Sequence, residues 1–160
     1  MKNKSRYIAH AAIISALYVV LTYISNLFGL ANGAIQIRFS EALTVLPVFT
    51  PSAIPGLFFG CLISNILSGC VIWDIIFGSL ATLLGAILTS VIKKYKYIAS
   101  VPPIISNTII IPFVLKFAYG LPSGLSYLII TVGAGEILSC GVLGTLLMLY
   151  LEKHKNRFNW

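Results

Sequence analysis

The stretch "IQIRFSEALTVLP", Ile35 to Pro47, sets Arg38 and Glu41 three residues apart beside a proline, in a chain that is 58% hydrophobic and 9% charged. Pro51 and Pro55 follow closely. Prolines at 47, 51 and 55 forbid one straight helix from 39 to 70, since each ring removes an amide donor and crowds the preceding turn. What remains is a short, proline-interrupted helix over 39–50 and another over 53–70. Outward from this break, further apolar runs cover 6–28, 73–92, 98–118 and 125–151. The separators "GLANG", "TPSAIPG", "SGCVIW", "KKYKY" and "YGLPSG" each hold glycine, proline or charge, as turns do.

The 160 residues have a mean hydropathy of +0.96. A soluble domain of this length cannot hide so much apolar surface, so the solvent for most of the chain is lipid. The runs are too long and too uniformly apolar for alternating barrel strands, which predicts an all-α integral membrane protein, one domain over 1–160. The first run, Ile8 to Leu30, follows Lys2, Lys4 and Arg6 as a signal peptide would. At about 22 residues it exceeds the ~7–15 of a signal h-region and is expected to be a retained span. The second helix is the short one, with about 18 Å of rise against a hydrocarbon core of about 30 Å.

Charge placement fixes the count. With six spans and a cytoplasmic amino terminus, Lys2, Lys4, Arg6, Lys93, Lys94, Lys96, Lys153, Lys155 and Arg157 lie inside, leaving Arg38 and Lys116 outside. Five spans would put "KKYK" and "EKHKNR" outside, against the positive-inside rule. Six spans with both termini cytoplasmic are therefore expected. The net charge of +7 sits at membrane borders, so no nucleic-acid partner is expected. Cys61, Cys70 and Cys140 show no CxxC spacing and read as small buried residues, with no metal or cofactor implied.

In that topology polar residues gather in the outer half. Arg38 and Glu41 open the second helix, Asn65 lies in the outer third of the third, and Trp73 and Asp74 open the fourth. Asn107 is near the middle of the fifth helix, with Lys116 and Tyr119 at its outer end. Glu136 lies about 16 Å along the sixth. A carboxylate near mid-depth costs at least about 2.5 kcal/mol, so it marks a cavity or a partner and is a functional candidate by default. A structural pair, Glu136 with Arg38 or Lys116, is the competing reading. Asp74 can read a ligand or simply cap its helix. Trp73 can stack on a flat ligand, whereas Tyr119 and Tyr127 fit an interfacial belt. Arg38 and Glu41, at i and i+3, are expected to meet on one helical face and steady the short helix, or else to touch ligand directly. Before them, "LANGAIQIRF" carries the Asn32-Gly33 turn signal and then alternates apolar and polar residues, as a flap over an outer pocket would.

Two small-residue stripes complete the picture. Ala9, Ala12 and Ala16 mark the first helix, with Ala12 and Ala16 in AxxxA spacing, and Gly56, Gly60, Ser64 and Ser68 mark the third. Either stripe can serve internal packing or a partner's helix.

With "IQIRFSEALTVLPVFTPSAIPGLFFGCLISN", the AxxxA pair and six helices, nearly the whole chain resembles the substrate-binding S component of an energy-coupling-factor (ECF) transporter, more specifically the QueT type associated with queuosine precursors. The resemblance implies a bacterial plasma-membrane protein that captures a micronutrient in an outward pocket roofed by the first loop. It implies delivery with a membrane coupling subunit, on which Ala12 and Ala16 would dock, and two cytoplasmic ATPases. The chain has no GxxxxGK[ST] phosphate loop, so any ATP hydrolysis belongs to other chains and no enzyme activity is expected here.

A 7-deazaguanine such as preQ0 or preQ1 offers two adjacent donors that a carboxylate can accept, and a flat ring that can stack. Glu136 or Asp74 would read that edge, with Trp73 or a phenylalanine stacking and Asn65 or Asn107 meeting the carbonyl. A second carboxylate suits the aminomethyl cation of preQ1. The alternatives are an S component for another vitamin and a stand-alone channel or exporter using Glu136. An intramembrane enzyme is disfavoured, because no histidine lies at membrane depth.

Overall fold

The computed structural model describes residues 2–30 and 35–154, with side chains from residue 4 onward. The Asn32-Gly33 turn, Lys155 and Arg157 lie outside the described residues. Among the described residues all regular structure is helical. The helices run Lys2–Leu27, Phe39–Val48, Ala53–Leu67, Ile72–Val91, Val101–Phe117 and Leu125–Lys153, and are called the first to the sixth. Lys4–Leu27, Ile72–Val91, Lys96–Phe117 and Leu125–Lys153 are long and apolar enough to cross a membrane. Exposed Ile13, Leu17 and Val20 on the first helix, and Ile105 and Ile109 on the fifth, face where lipid belongs. This is a membrane protein.

The second helix is a 10-residue 3-10 helix with Pro47 inside it. A proline has no amide to give, and three residues per turn stacks side chains at i and i+3. Two such rows, Ser40–Leu43–Leu46 and Glu41–Thr44–Pro47, are buried. The Thr44 hydroxyl donates to the Glu41 carbonyl at 2.6 Å, which ties the second row together. At about 2.0 Å per residue the helix is only about 20 Å long. It has no need to reach further, because protein rather than lipid surrounds it.

The sixth helix departs from α geometry at Ile137–Gly144, a π-helical segment that begins directly after Glu136. Such segments recur at functional sites. Gly144 admits Val45 of the second helix, whose Cγ1 lies 3.1 Å from where a Cβ would stand.

Neighbouring helices alternate in direction. At one end Tyr7 donates to the Pro51 carbonyl at 3.4 Å and Lys96 pairs with Glu152 at 2.7 Å. At the other, Asn26 donates to Ser68 at 3.0 Å and Tyr119 to Asp74 at 2.9 Å. We call these the basic and the distal ends. Toward the basic end, Ile14, Tyr18, Leu43, Leu46, Leu57, Cys61 and Leu151 form an apolar core. Gly60 lets the third helix press onto the first, since a Cβ there would stand 2.7 Å from that of Tyr18. The glycine stripe is therefore an internal seam. Ala9, Ala12 and Ala16 remain exposed on the opposite side of the first helix from buried Ile14 and Tyr18.

Candidate functional site

Where the second helix meets the π segment, two carboxylates face one small chamber. Glu41, 2% exposed, accepts the hydroxyl of Tyr18. Glu136 accepts from Asn107 Nδ2 at 3.0 Å through Oε1 and from the Cys140 thiol at 3.2 Å through Oε2. Cys140 stands four residues after Glu136, one turn on, so the pair shares a face. The chamber holds about 30 Å³ and is also lined by Arg38, Cys61, Thr82 and Ser139. That is room for a water-sized group and no more.

A larger vestibule of about 720 Å³ opens at the distal end. It is bounded by Asn26 of the first helix, Asn65, Ser68 and Cys70 of the third and its exit, Asp74 of the fourth, and Tyr119 beyond the fifth. Asn65 Nδ2 donates to the Asp74 carbonyl at 3.5 Å, so these groups fix one another. Burial, together with the Asp74 carboxylate beside it, holds the Tyr119 hydroxyl above the usual phenol range and keeps it a donor. Gln36, Arg38 and Ile111 line both spaces.

The segment that carries Arg38 is pinned by its backbone. Amides 37, 38 and 39 donate to Leu30 O at 2.9 Å, Ser139 Oγ at 3.1 Å and Ser25 Oγ at 2.8 Å. Gly135 makes this close approach possible, because any Cβ there would collide with the Gln36 carbonyl oxygen.

The site is rich in acceptors and poor in cations. Among the described residues Glu41, Glu136 and Asp74 line the two spaces against Arg38 alone, three carboxylates against one guanidinium, a formal charge of −2. Among the described residues no ion pair neutralises any of these acids, whereas Lys96 and Glu152 do pair at the basic end. Glu41, Glu136 and Cys140 each bring one ligand-type atom within 4.8 Å of the others, a spacing that would admit a metal. Each already has an internal hydrogen bond, so the cluster closes without one.

Of the residues expected from sequence, Arg38, Glu41, Asn107 and Glu136 come together in the chamber, and Arg38, Asn65 and Asp74 in the vestibule. Among the described residues the side chains of Arg38 and Glu41 form no ion pair. Arg38 precedes the helix in extended backbone, φ −114° and ψ 111°, and only its carbonyl, which accepts the Glu41 amide at 3.1 Å, joins the helical pattern. Trp73 lies in neither space. It is 55% exposed and stacks on Phe77, 6.0 Å between centroids, along an apolar groove shared with Phe113 and Phe117. Lys116 also lies outside the linings and bonds to the carbonyls of Leu121 and Ser123 at 3.2 and 3.0 Å. Neither cation suggested as a partner for Glu136 forms an ion pair with it among the described residues.

Sequence reasoning placed Gln36 on the polar side of the flap but missed Tyr18, Thr82, Ser139 and the contact of Cys140 with Glu136. Only the last left a local trace, the i, i+4 spacing.

The family model for the QueT transporter matches residues 8–153. A curated relative, the queuosine precursor transporter QueT of Lactococcus lactis subsp. cremoris (strain MG1363), is 39% identical over 97 residues. That match spans 58% of this chain and 57% of the relative's length. No solved structure matches the chain. With nearly every helix inside the family match and an acid-lined cavity between them, the chain belongs to the QueT transporter family.

Proposed function

We propose that the chain is the substrate-binding membrane subunit of an ECF-type importer and captures a queuosine precursor of the 7-deazaguanine class. The observation that carries this reading is the pair of carboxylates, buried Glu41 and half-buried Glu136, at the foot of an acid-rich vestibule, with no ion pair to either among the described residues. The vestibule volume lies within the range of about 300–1,000 Å³ usual for ligand sites and takes the flat ring. Asp74, with Asn65 beside it, accepts the paired donors of the ring edge. The chamber takes only a small group, and an ammonium held between Glu41 and Glu136 is what its size and charge suit. An aminomethyl arm on the ring supplies that group. Tyr119 is the aromatic ring lining the vestibule and replaces Trp73 as the stacking candidate.

The family membership and the relative's name support the substrate class. Six membrane crossings, with the basic end and both termini in the cytoplasm and the vestibule outside, follow from the positive-inside rule. Delivery inward then uses a coupling subunit docked on exposed Ala12 and Ala16 and two ATPases supplied by other chains. Uptake of labelled precursor separates this reading from a solitary channel. Cells expressing the chain with the ATPase module should accumulate precursor, and cells expressing it alone should not. Accumulation by the chain alone would overturn the importer reading.

A further inference from the structure

Resting on that reading, we infer that Arg38 is a movable counter-ion that occupies the mouth of the chamber when the site is empty and yields its place to the ammonium of the ligand. Its competition weakens the binding of cationic precursors and spares neutral ones. Among the described residues Arg38 is the one side chain of positive charge lining either space, and it lines both. Glu41 and Glu136 lie on its inner side and Asp74 on its outer side. Among the described residues no hydrogen bond or ion pair engages its guanidinium, although three carboxylates border the spaces it lines.

The backbone beneath it is held by amides 37, 38 and 39 on two different helices, so the loop itself stays in place. The freedom lies in the long side chain, which can swing from the chamber to the vestibule without breaking any of these bonds. A guanidinium and an ammonium cannot share a chamber of about 30 Å³. Entry of the ligand's cation therefore means exit of the arginine toward the vestibule and its solvent. A neutral arm, such as a nitrile, brings no charge to replace the guanidinium and leaves it where it is.

The test compares 7-aminomethyl- and 7-cyano-7-deazaguanine binding to purified wild type, Arg38→Gln and Arg38→Lys. Removing the competing cation should tighten the amine at least tenfold in Arg38→Gln while the nitrile changes less than threefold. Arg38→Lys keeps a cation that must leave, so both affinities should stay within about threefold of wild type. Should Arg38→Gln fail to fold, the unsubstituted protein still gives an answer. The Arg38 Nε–H resonance, identified by its loss in Arg38→Lys, should shift with the amine and stay with the nitrile. Equal weakening of both ligands in Arg38→Gln, or an unmoved resonance on amine binding, overturns the inference and makes Arg38 a fixed clamp. Failure of wild type to bind either ligand would instead remove the proposed function beneath it.

Discussion

Replacing Glu136 by glutamine removes one charge from the chamber and almost nothing else. The amide keeps an oxygen for Asn107 Nδ2, now 3.0 Å from Oε1, and its NH₂ can donate to the Cys140 sulfur, now 3.2 Å from Oε2. Stability should therefore change by about 1 kcal/mol or less, the size of one exchanged hydrogen bond. Binding is another matter. Carboxylate oxygens of Glu41 and Glu136 lie within 4.8 Å of each other, so an ammonium between them touches both. At about 4 Å and an effective dielectric near 20, one such attraction is worth about 4 kcal/mol before desolvation. Measured losses on truncating one partner of a buried charge pair start at about 2 kcal/mol. With Glu41 still present, a loss of about 2–4 kcal/mol follows, roughly 30- to 1,000-fold in affinity for the aminomethyl precursor. The nitrile should lose less than threefold. Calorimetry on the detergent-solubilised protein, with circular dichroism to confirm the fold, measures both. An amine affinity within threefold of wild type in folded Glu136→Gln would refute the assignment of the chamber.

Further changes probe other parts of the structure. Tyr18→Phe removes the donor to Glu41 from a residue that is 1% exposed, and should cost about 1–3 kcal/mol in a thermal-shift assay. Gly60→Ala forces a methyl to 2.7 Å from the Tyr18 Cβ and should destabilise by about 1–3 kcal/mol through overpacking, read by the same assay. Trp73→Leu should leave precursor affinity within twofold, because the indole faces the apolar groove rather than the vestibule. The double variant Ala12→Trp, Ala16→Trp changes exposed positions, so precursor binding should persist while uptake with the ATPase module is lost.

Much of the architecture is written in composition and punctuation. Pro51 and the glycines near 29, 69 and 120 mark turns because they act locally, and Gly29, Gly69 and Gly120 do adopt positive φ, while Pro47 and Pro55 sit inside the short second helix and at the start of the third. The acids are legible for an equally simple reason: a carboxylate has no cause to persist in an apolar run unless something receives it. What the sequence does not show is phase. Trp73 and Asp74 are neighbours in the chain, yet adjacent helical residues point about 100° apart, so one faces the apolar groove and the other the vestibule. Arg38 and Glu41 looked like helical partners only on the assumption that the helix had begun by residue 38. Tyr18 gave no signal because a buried tyrosine in an apolar run resembles any core aromatic until its partner, 23 residues away, is known. The π segment lies against the second helix, where Gly144 meets Val45, and no local pattern announces it.

Everything proposed for this cavity requires that it hold a cationic, flat precursor. Titration calorimetry of 7-aminomethyl-7-deazaguanine into the purified, folded wild-type chain tests it most directly. One site per chain with submicromolar affinity is expected, and the absence of binding heat at micromolar protein would rule the site out.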